Sequence, residues 1–466
     1  MTPARFLRPL VGLILLLGML PGWAVAQPTG SDPMAPRKPL PAPSNLPFIT
    51  PPEIMAREIA LEEAVAIALD NQPTIQARIG DYIASLQRIQ QALSPMLPQL
   101  SASALGTRID ESTRVHSGGG STHIPGDSTV GSGRLALSQL LWDFGKTWAA
   151  TDVAKASAES IREAAEIQKD LIVLAVKEFY FNQLFAARLV VVNAQALERA
   201  ELNLRSAKGF FDVGTRPKSD VTRAEVDVAN ARVDLIRAQN AVSLARIALN
   251  TSMGIAVNAP TRIRDILTYQ KMTLDPNTLV DEAFRRRAEY RQAKFNADAA
   301  DATVRQTFRD FFPNFFGTTS VGGSTSHFDA SGGSTSNSGD WQVGLEFRWN
   351  IFDGGNKIAR WKEAKAAVDA ARARVRDSQL GIWQDVEAAY VRVNEAEERI
   401  GAAQKAVESA QENFRLFQGR FDAGVGNIIE LTDAQFALTQ AQSTEAQALA
   451  DFRIAIARLE RAVGRR

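Results

Sequence analysis

Residues 382–421 read IWQDVEAAYVRVNEAEERIGAAQKAVESAQENFRLFQGRF, and this segment carries the clearest structural signal in the sequence. Apolar side chains recur in it along two seams with seven-residue steps, one of Ile382, Ala389, Ala396, Ala403, Ala410 and Phe417, the other of Val386, Val393, Ile400, Val407, Phe414 and Phe421. Spacing of three and four sustained over this length is typical of a helix in a left-handed coiled coil. The first seam reaches back to Val368, so we predict one long helix over residues 356–421.

A second helical pattern returns along the first. Alanines recur every seven residues at Ala434, Ala441, Ala448, Ala455 and Ala462, and they predict a helix over residues 429–463. Because alanine is small, such a seam lets two helix axes approach closely. The two helices are therefore predicted to form a tightly packed helical hairpin.

The chain repeats itself at an offset of 210 residues. At this offset Trp142-Asp143-Phe144-Gly145 aligns with Phe352-Asp353-Gly354-Gly355, and predicted helices at 146–212 and 219–253 align with those of the second copy. Each copy has the order helix, strand, loop, strand, long helix, turn and return helix. The predicted bounds are a first repeat at 58–258, a connector at 259–277 and a second repeat at 278–466.

Each repeat also contains a predicted β-hairpin before its long helix. Over residues 341–352 apolar and aromatic side chains alternate with polar and charged ones, which fits a strand between lipid and a wet lumen. Its partner is predicted at 317–326, and the first repeat has counterparts at 99–109 and 133–142. A half-buried strand of a soluble sheet would show the same alternation. In lipid, four strands with open edges cannot close a barrel, so several protomers would have to share one.

The N-terminus is predicted to be a secretory signal over residues 1–26. Arg5 and Arg8 precede a short apolar run and a small-residue cleavage site. Residues 27–57 are rich in proline and are predicted to be a linker. With Arg5 and Arg8 removed, 51 basic residues face 52 acidic ones, a net charge near −1 that supports no nucleic-acid partner. The apolar run is too short for a transmembrane helix, so any membrane crossing is predicted to use strands.

The residue types give no sign of an enzyme or of a cofactor. There is no cysteine, and the only histidines, His116, His123 and His327, fall in predicted loops without metal-ligand spacing. The sequence contains no nucleophile elbow and no phosphate-binding loop. We therefore predict a non-enzyme without a metal or other cofactor.

The ordered duplication resembles the TolC family of outer-membrane efflux proteins over nearly all of the chain after the proline-rich segment. The resemblance rests on Leu61-Glu62-Glu63-Ala64, on Asn71-Gln72-Pro73, on the two junctions at 142 and 352, and on turns at 211–221 and 421–431. It implies a mixed fold of coiled-coil helices and transmembrane strands, assembled as a homotrimer. Such a trimer would form a twelve-stranded barrel in the outer membrane and a periplasmic α-helical tunnel. The implied partners are a periplasmic adaptor and an inner-membrane pump, for drug efflux or for protein secretion of type I.

The resemblance also implies a gate at the helix turns. By alignment, Glu430 and Asp433 would form an acidic ring at the constriction, although acids in the first turn of a helix also simply favour its dipole. The candidate latch consists of Arg216, Asp220 and Phe421, with Arg216 expected to pair with Glu430 or Asp433. The family's tyrosine and arginine are replaced here by Phe421 and Gly426. The turn residues expected to contact the adaptor are Gly214, Thr215, Gly424 and Val425.

The competing interpretation is a periplasmic coiled-coil adaptor or structural spacer without its own pore. An adaptor should have one helical hairpin flanked by small β domains, whereas this sequence predicts two helical hairpins and four strands. Recovery in the soluble periplasm would contradict the channel interpretation.

Overall fold

The structure is a computed structural model that describes residues 58–117, 120–271, 275–328 and 334–466. The predicted signal segment at 1–26 and the predicted linker at 27–57 lie outside the described residues. Side chains are described for the same ranges except 109–127, 328 and 334.

Helices make up most of the described chain. The first repeat contains α1 (Leu61–Asn71), α2 (Pro73–Leu93), α3 (Lys146–Asp212) and α4 (Lys218–Met253). The second contains α5 (Pro276–Arg286), α6 (Ala288–Arg309), α7 (Asn356–Asp422) and α8 (Ile428–Val463). The long helices α3 and α7 have 67 residues each, which corresponds to about 100 Å at 1.5 Å per residue.

Two short helices and a return helix pack along each long helix. The return helices α4 and α8 end at Gly254 and Gly464, which adopt φ values of +70° and +81°. A Cβ on Gly254 would lie 2.9 Å from the Asn71 carbonyl carbon, and one on Gly464 would lie 3.0 Å from Arg286 Cβ. Each return helix therefore ends against the break between the two short helices of its own repeat, and glycine permits both the close approach and the left-handed backbone.

Four strands, the second, third, fifth and sixth along the chain, form one antiparallel sheet in that order. Their bounds are β2 (Gln99–Ser117), β3 (Gly120–Trp142), β5 (Asn314–Phe328) and β6 (Ser334–Arg348). Pairing of β3 with β5 joins the hairpins of the two repeats. A separate parallel pair links β1 (Glu58–Ile59) with β4 (Arg262–Ile263).

The strand bounds differ from the predicted ones. The Gly/Ser-rich segments assigned to loops are mostly paired, since the β2–β3 register runs without a break from Gln99 opposite Ser138 to Ser117 opposite Gly120. At the other end, β6 stops at Arg348 rather than at residue 352. The hydrogen bonds between strands are made by backbone N–H and C=O groups. Serine and glycine can therefore extend a strand wherever the partner strand continues in register.

One face of the sheet is apolar and accessible. On β6, Trp341 is 78 % exposed and Leu345 is 84 % exposed. Val343 and Phe347 lie on the same face, and Gln342, Gly344 and Glu346 lie on the other. None of the helices in the described residues has both the length and the apolar composition of a membrane span.

The helical core is held by buried polar contacts as well as apolar clusters. Tyr180 is fully buried, and its hydroxyl lies 3.1 Å from the Ile59 carbonyl and 2.8 Å from that of Arg264, which fastens the β1–β4 pair to α3. Burial raises the pKa of Tyr180 to about 12. At the break between α5 and α6, buried Arg287 donates to Glu289 at 2.9 Å and to Asp385 of α7 at 2.7 Å.

Candidate functional site at the helix turns

The two helical hairpins end in turns of the same construction. Gly214 and Gly424 adopt φ values of +76° and +77°, which is the left-handed conformation that ends a helix. The Thr215 N–H donates to the Phe210 carbonyl at 2.9 Å, and the Val425 N–H donates to the Arg420 carbonyl at 3.0 Å. Helix α8 then starts with Asn427, whose side chain accepts from the Ile429 N–H at 3.0 Å.

An apolar cluster packs the two turns of the chain against each other. Phe421 is 1 % exposed, and its ring meets that of Phe210 edge to face at 5.7 Å. Val221 of α4 and Leu431 of α8 belong to the same cluster. The turns of the two repeats are therefore one packed unit within a single chain.

Arg216 connects the first turn to the second. Its Nη2 donates to the Gly426 carbonyl at 2.6 Å, and its Cζ lies 4.6 Å from the Phe421 ring centre. Its Nη1 forms an ion pair with Asp220 at 3.6 Å. The side chain is only 12 % exposed, so these charge-assisted and cation–π contacts are shielded from solvent.

Gly426 fits this site because it has no side chain. A Cβ there would lie 2.8 Å from the Phe421 nitrogen and 2.9 Å from the Arg420 carbonyl carbon. The Gly426 N–H donates to the Arg420 carbonyl at 2.8 Å, while its own carbonyl accepts from Arg216. The peptide of Gly426 is therefore held from both sides.

The two predicted ring acids have different surroundings. Glu430, in the first turn of α8, forms an ion pair with Arg420 at 3.5 Å, and Asp433 is exposed. Within the described residues, the ion pairs of Arg216 and Glu430 are thus with Asp220 and Arg420 rather than with each other. The expected pairing of Arg216 with Glu430 or Asp433 is not formed inside this chain.

The remaining predicted residues lie at the tip of the hairpins. Gly214, Thr215, Gly424 and Val425 are all exposed there. Phe210 and Arg420, which are equivalent positions of the two repeats at the 210-residue offset, were not among the predicted site residues. Their place directly before Phe211 and Phe421 was the available signal.

The histidines lie away from this site. His116 and His123 belong to β2 and β3, with side chains outside those described, and His327 of β5 has its Nδ1 2.9 Å from Thr335 Oγ1. Among the described side chains, no group of histidine and acidic residues has the arrangement of a metal site.

Comparison with known proteins identifies relatives along both repeats. The sequence model of the family described as outer membrane efflux protein matches residues 64–255 and again 279–465. The outer membrane protein TolC of Escherichia coli (strain K12) is 24 % identical over 406 residues, covering 84 % of this chain and 80 % of that protein. Outer membrane protein OprJ of Pseudomonas aeruginosa is 25 % identical over 389 residues, covering 80 % of this chain and 78 % of that protein.

Solved structures share the fold. The outer-membrane channel OprN superposes with a TM-score of 0.69 at 20 % identity, covering 87 % of this chain and 89 % of that one. CusC superposes with a TM-score of 0.70 at 18 % identity, covering 92 % of this chain and 98 % of that one.

Proposed function

This chain belongs to the outer membrane efflux protein family, and we propose that it is a channel-tunnel that exports small molecules or proteins and is gated at its helix turns. Its location is the outer membrane, with the long helices extending into the periplasm. The relatives found are efflux and channel proteins rather than enzymes.

The observation that carries the proposal is the sheet with an apolar, exposed face and two free edges. Its outer strands β2 and β6 have no strand partner beyond β3 and β5 among the described residues. Backbone groups at such edges would remain unpaired in hydrocarbon, where each costs several kcal/mol. Pairing with the sheets of other protomers removes both edges and directs the apolar faces outward to lipid.

We propose a homotrimer with twelve strands around one axis. Its tunnel wall would have twelve helical segments, because each chain supplies two long helices and two segments in which a short helix and a return helix are stacked end to end. Exposed apolar side chains support further packing on both outer helices of the chain. On α4 these are Val226, Val233, Ile236 and Leu244, and on α7 they are Leu380, Trp383 and Val391. A second copy that covers these stripes would remove a large apolar area from water.

Gating at the turns is supported by the contacts of Arg216. Its hydrogen bond to Gly426 and its stacking on Phe421 tie the two hairpins of a chain together. Opening would separate these turns, while Glu430 and Asp433 would ring the constriction of the trimer. Arg216, Asp220 and Phe421 are therefore the latch residues in this proposal.

The proposed partners are a periplasmic adaptor that contacts the exposed turns and an inner-membrane pump that supplies the cargo. The names of several relatives, such as the toluene efflux pump outer membrane protein TtgC of Pseudomonas putida, refer to efflux pumps. They favour small-molecule cargo for this chain.

Reconstitution of the purified protein into planar lipid bilayers tests the channel. Discrete single-channel currents from a detergent-stable trimer are the expected result. Recovery of the protein in the soluble periplasm, or bilayers that stay silent at trimer concentrations that insert a control porin, would contradict the proposal.

A further inference from the structure

Arg420 lies beside one of the two acids that each chain brings to the second turn. Its Nη1 is 3.5 Å from Glu430 Oε2, and the two side chains are 53 % and 42 % exposed. The guanidinium also lies 5.5 Å from the Phe417 ring centre. The guanidinium of Arg420 is thus half exposed at the turn, whereas the Glu430 Oε2 that it faces is shielded from solvent and accepts no hydrogen bond from the described residues.

Backbone hydrogen bonds at the turn hold the main chain of Arg420 in place. The Arg420 carbonyl accepts the N–H groups of Val425 and Gly426 at 3.0 Å and 2.8 Å. With the main chain held on both sides of the turn, only the side chain of Arg420 is free to adjust. It therefore stays within reach of Glu430 whenever the turn keeps this conformation.

The other acid has no such partner. Asp433 lies three residues beyond Glu430 on α8, which is the same helix face one turn along. It is exposed, and no ion pair joins it to another described residue. Of the two acids at the turn, Glu430 therefore has an arginine beside its negative charge and Asp433 does not.

We propose that Arg420 is a charge-selectivity residue of the channel. It cancels the charge of Glu430 and leaves Asp433 as the uncompensated carboxylate of each chain. The inference rests on the proposed function, since it needs these turns to line the constriction. A trimer then presents three uncompensated carboxylates instead of six, which weakens the repulsion of anionic cargo.

This assigns different tasks to the two arginines of the site. Arg216 is 12 % exposed and is bound to a carbonyl and an aromatic ring, so it acts on the contact between the turns. Arg420 is half exposed and lies 3.5 Å from a carboxylate oxygen without a hydrogen bond to it, so it acts through its charge on the field in the pore.

The expected size of the effect follows from simple electrostatics. If three additional unit charges lie one Debye length, about 8 Å, from the axis in water, they change the ratio of cations to anions at the constriction roughly three- to tenfold. At 1 M salt the Debye length falls to about 3 Å, and the difference should nearly vanish.

The test is the reversal potential of single channels in a KCl gradient near 0.15 M. Arg420→Gln should raise the ratio of cation to anion permeability roughly three- to tenfold. Glu430→Gln should lower it, because it leaves Arg420 uncompensated. The double variant should return to the wild-type value, and Arg420→Lys should retain it.

Lys405→Gln is the matched control. Lys405 lies on the same helix and pairs with Glu408 at 2.7 Å, and the 15 residues to Arg420 correspond to about 22 Å, well beyond the Debye length. This variant should leave the reversal potential unchanged.

An unchanged reversal potential in Arg420→Gln, together with a shift in Asp433→Asn, would overturn the inference and leave the channel intact. Wild-type protein that forms no channels would instead refute the proposed function. If Arg420→Gln does not assemble, Arg420→Met removes the same charge with a side chain of similar length and takes its place, and an unchanged reversal potential in that variant contradicts the inference.

Discussion

Replacing Arg216 by alanine should make the closed channel leaky. The substitution removes the 2.6 Å hydrogen bond to the Gly426 carbonyl and the stacking at 4.6 Å on Phe421. A hydrogen bond to a charged group contributes about 1.5–3 kcal/mol, and a shielded cation–π contact about 0.5–2 kcal/mol. Both contacts join the two turns, so they stabilise the closed arrangement rather than an arrangement in which the turns have separated.

If about 2 kcal/mol of this stabilisation is lost on opening, its removal raises the ratio of open to closed turns about thirtyfold in each chain. Single-channel recording in planar bilayers measures this as a higher closed-state conductance and longer open dwell times. Arg216→Lys should have an intermediate effect, because it keeps the charge and loses the planar guanidinium.

Arg223→Ala is the control for the loss of a cation, because Arg223 is exposed on α4 two turns beyond Arg216. It should behave as wild type. If Arg216→Ala has the conductance and dwell times of Arg223→Ala, then Arg216 is not a latch and the reasoning fails.

Three further predictions concern the sheet, a buried ion pair and the second turn. Leu345→Arg, on the apolar face, should cost about 2–4 kcal/mol in lipid and lower the yield of trimer in outer-membrane fractions, whereas Leu345→Met should not. Arg287→Met breaks a buried pair and should lower the thermal midpoint by the equivalent of about 3–5 kcal/mol, as followed by circular dichroism; an unchanged midpoint would contradict this. Burial alone would raise the pKa of Glu289, but the hydrogen bond and charge of Arg287 hold it below its ordinary value. The stabilisation from the pair of Glu289 with Arg287 is therefore complete above the ordinary glutamate pKa. It is lost as the pH falls through the lower pKa that Glu289 has in the folded protein. The thermal midpoint should therefore fall more steeply in acid for wild type than for Arg287→Met. Gly426→Ala should displace the turn and reproduce the leak of the latch variant, whereas Gly401→Ala, with open space at its Cβ, should conduct as wild type.

Much of the helical architecture was readable from local patterns. The seam at Ile382, Val386 and Ala389 predicted a helix at 356–421, and α7 spans Asn356–Asp422. The strand ends were not readable in the same way. Gly120 has low strand propensity, yet it pairs with Ser117 because the register set by the neighbouring strands continues to that pair.

The candidate site shows the same division. Superposing the two repeats located the turn glycines and Phe421, and the family resemblance pointed to Glu430. The pairs that these groups form could not be predicted from the sequence. Arg216 and Gly426 are separated by 210 residues, and Arg420 reaches Glu430 only across the folded turn. No periodic pattern encodes such contacts.

The helices, the duplication and the alternating faces of the strands follow from the amino-acid order alone, since burial imposes periods of 3.5 and 2 residues on the chain. The contacts of Arg216 with a carbonyl and an aromatic ring, and the pairing of Glu430 but not of Asp433 with an arginine, depend on how the helices pack in three dimensions. The physical reason is that a charge can reach several partners of similar energy. The rotation of one helix about its axis relative to the next, together with the side-chain rotamer, selects among them.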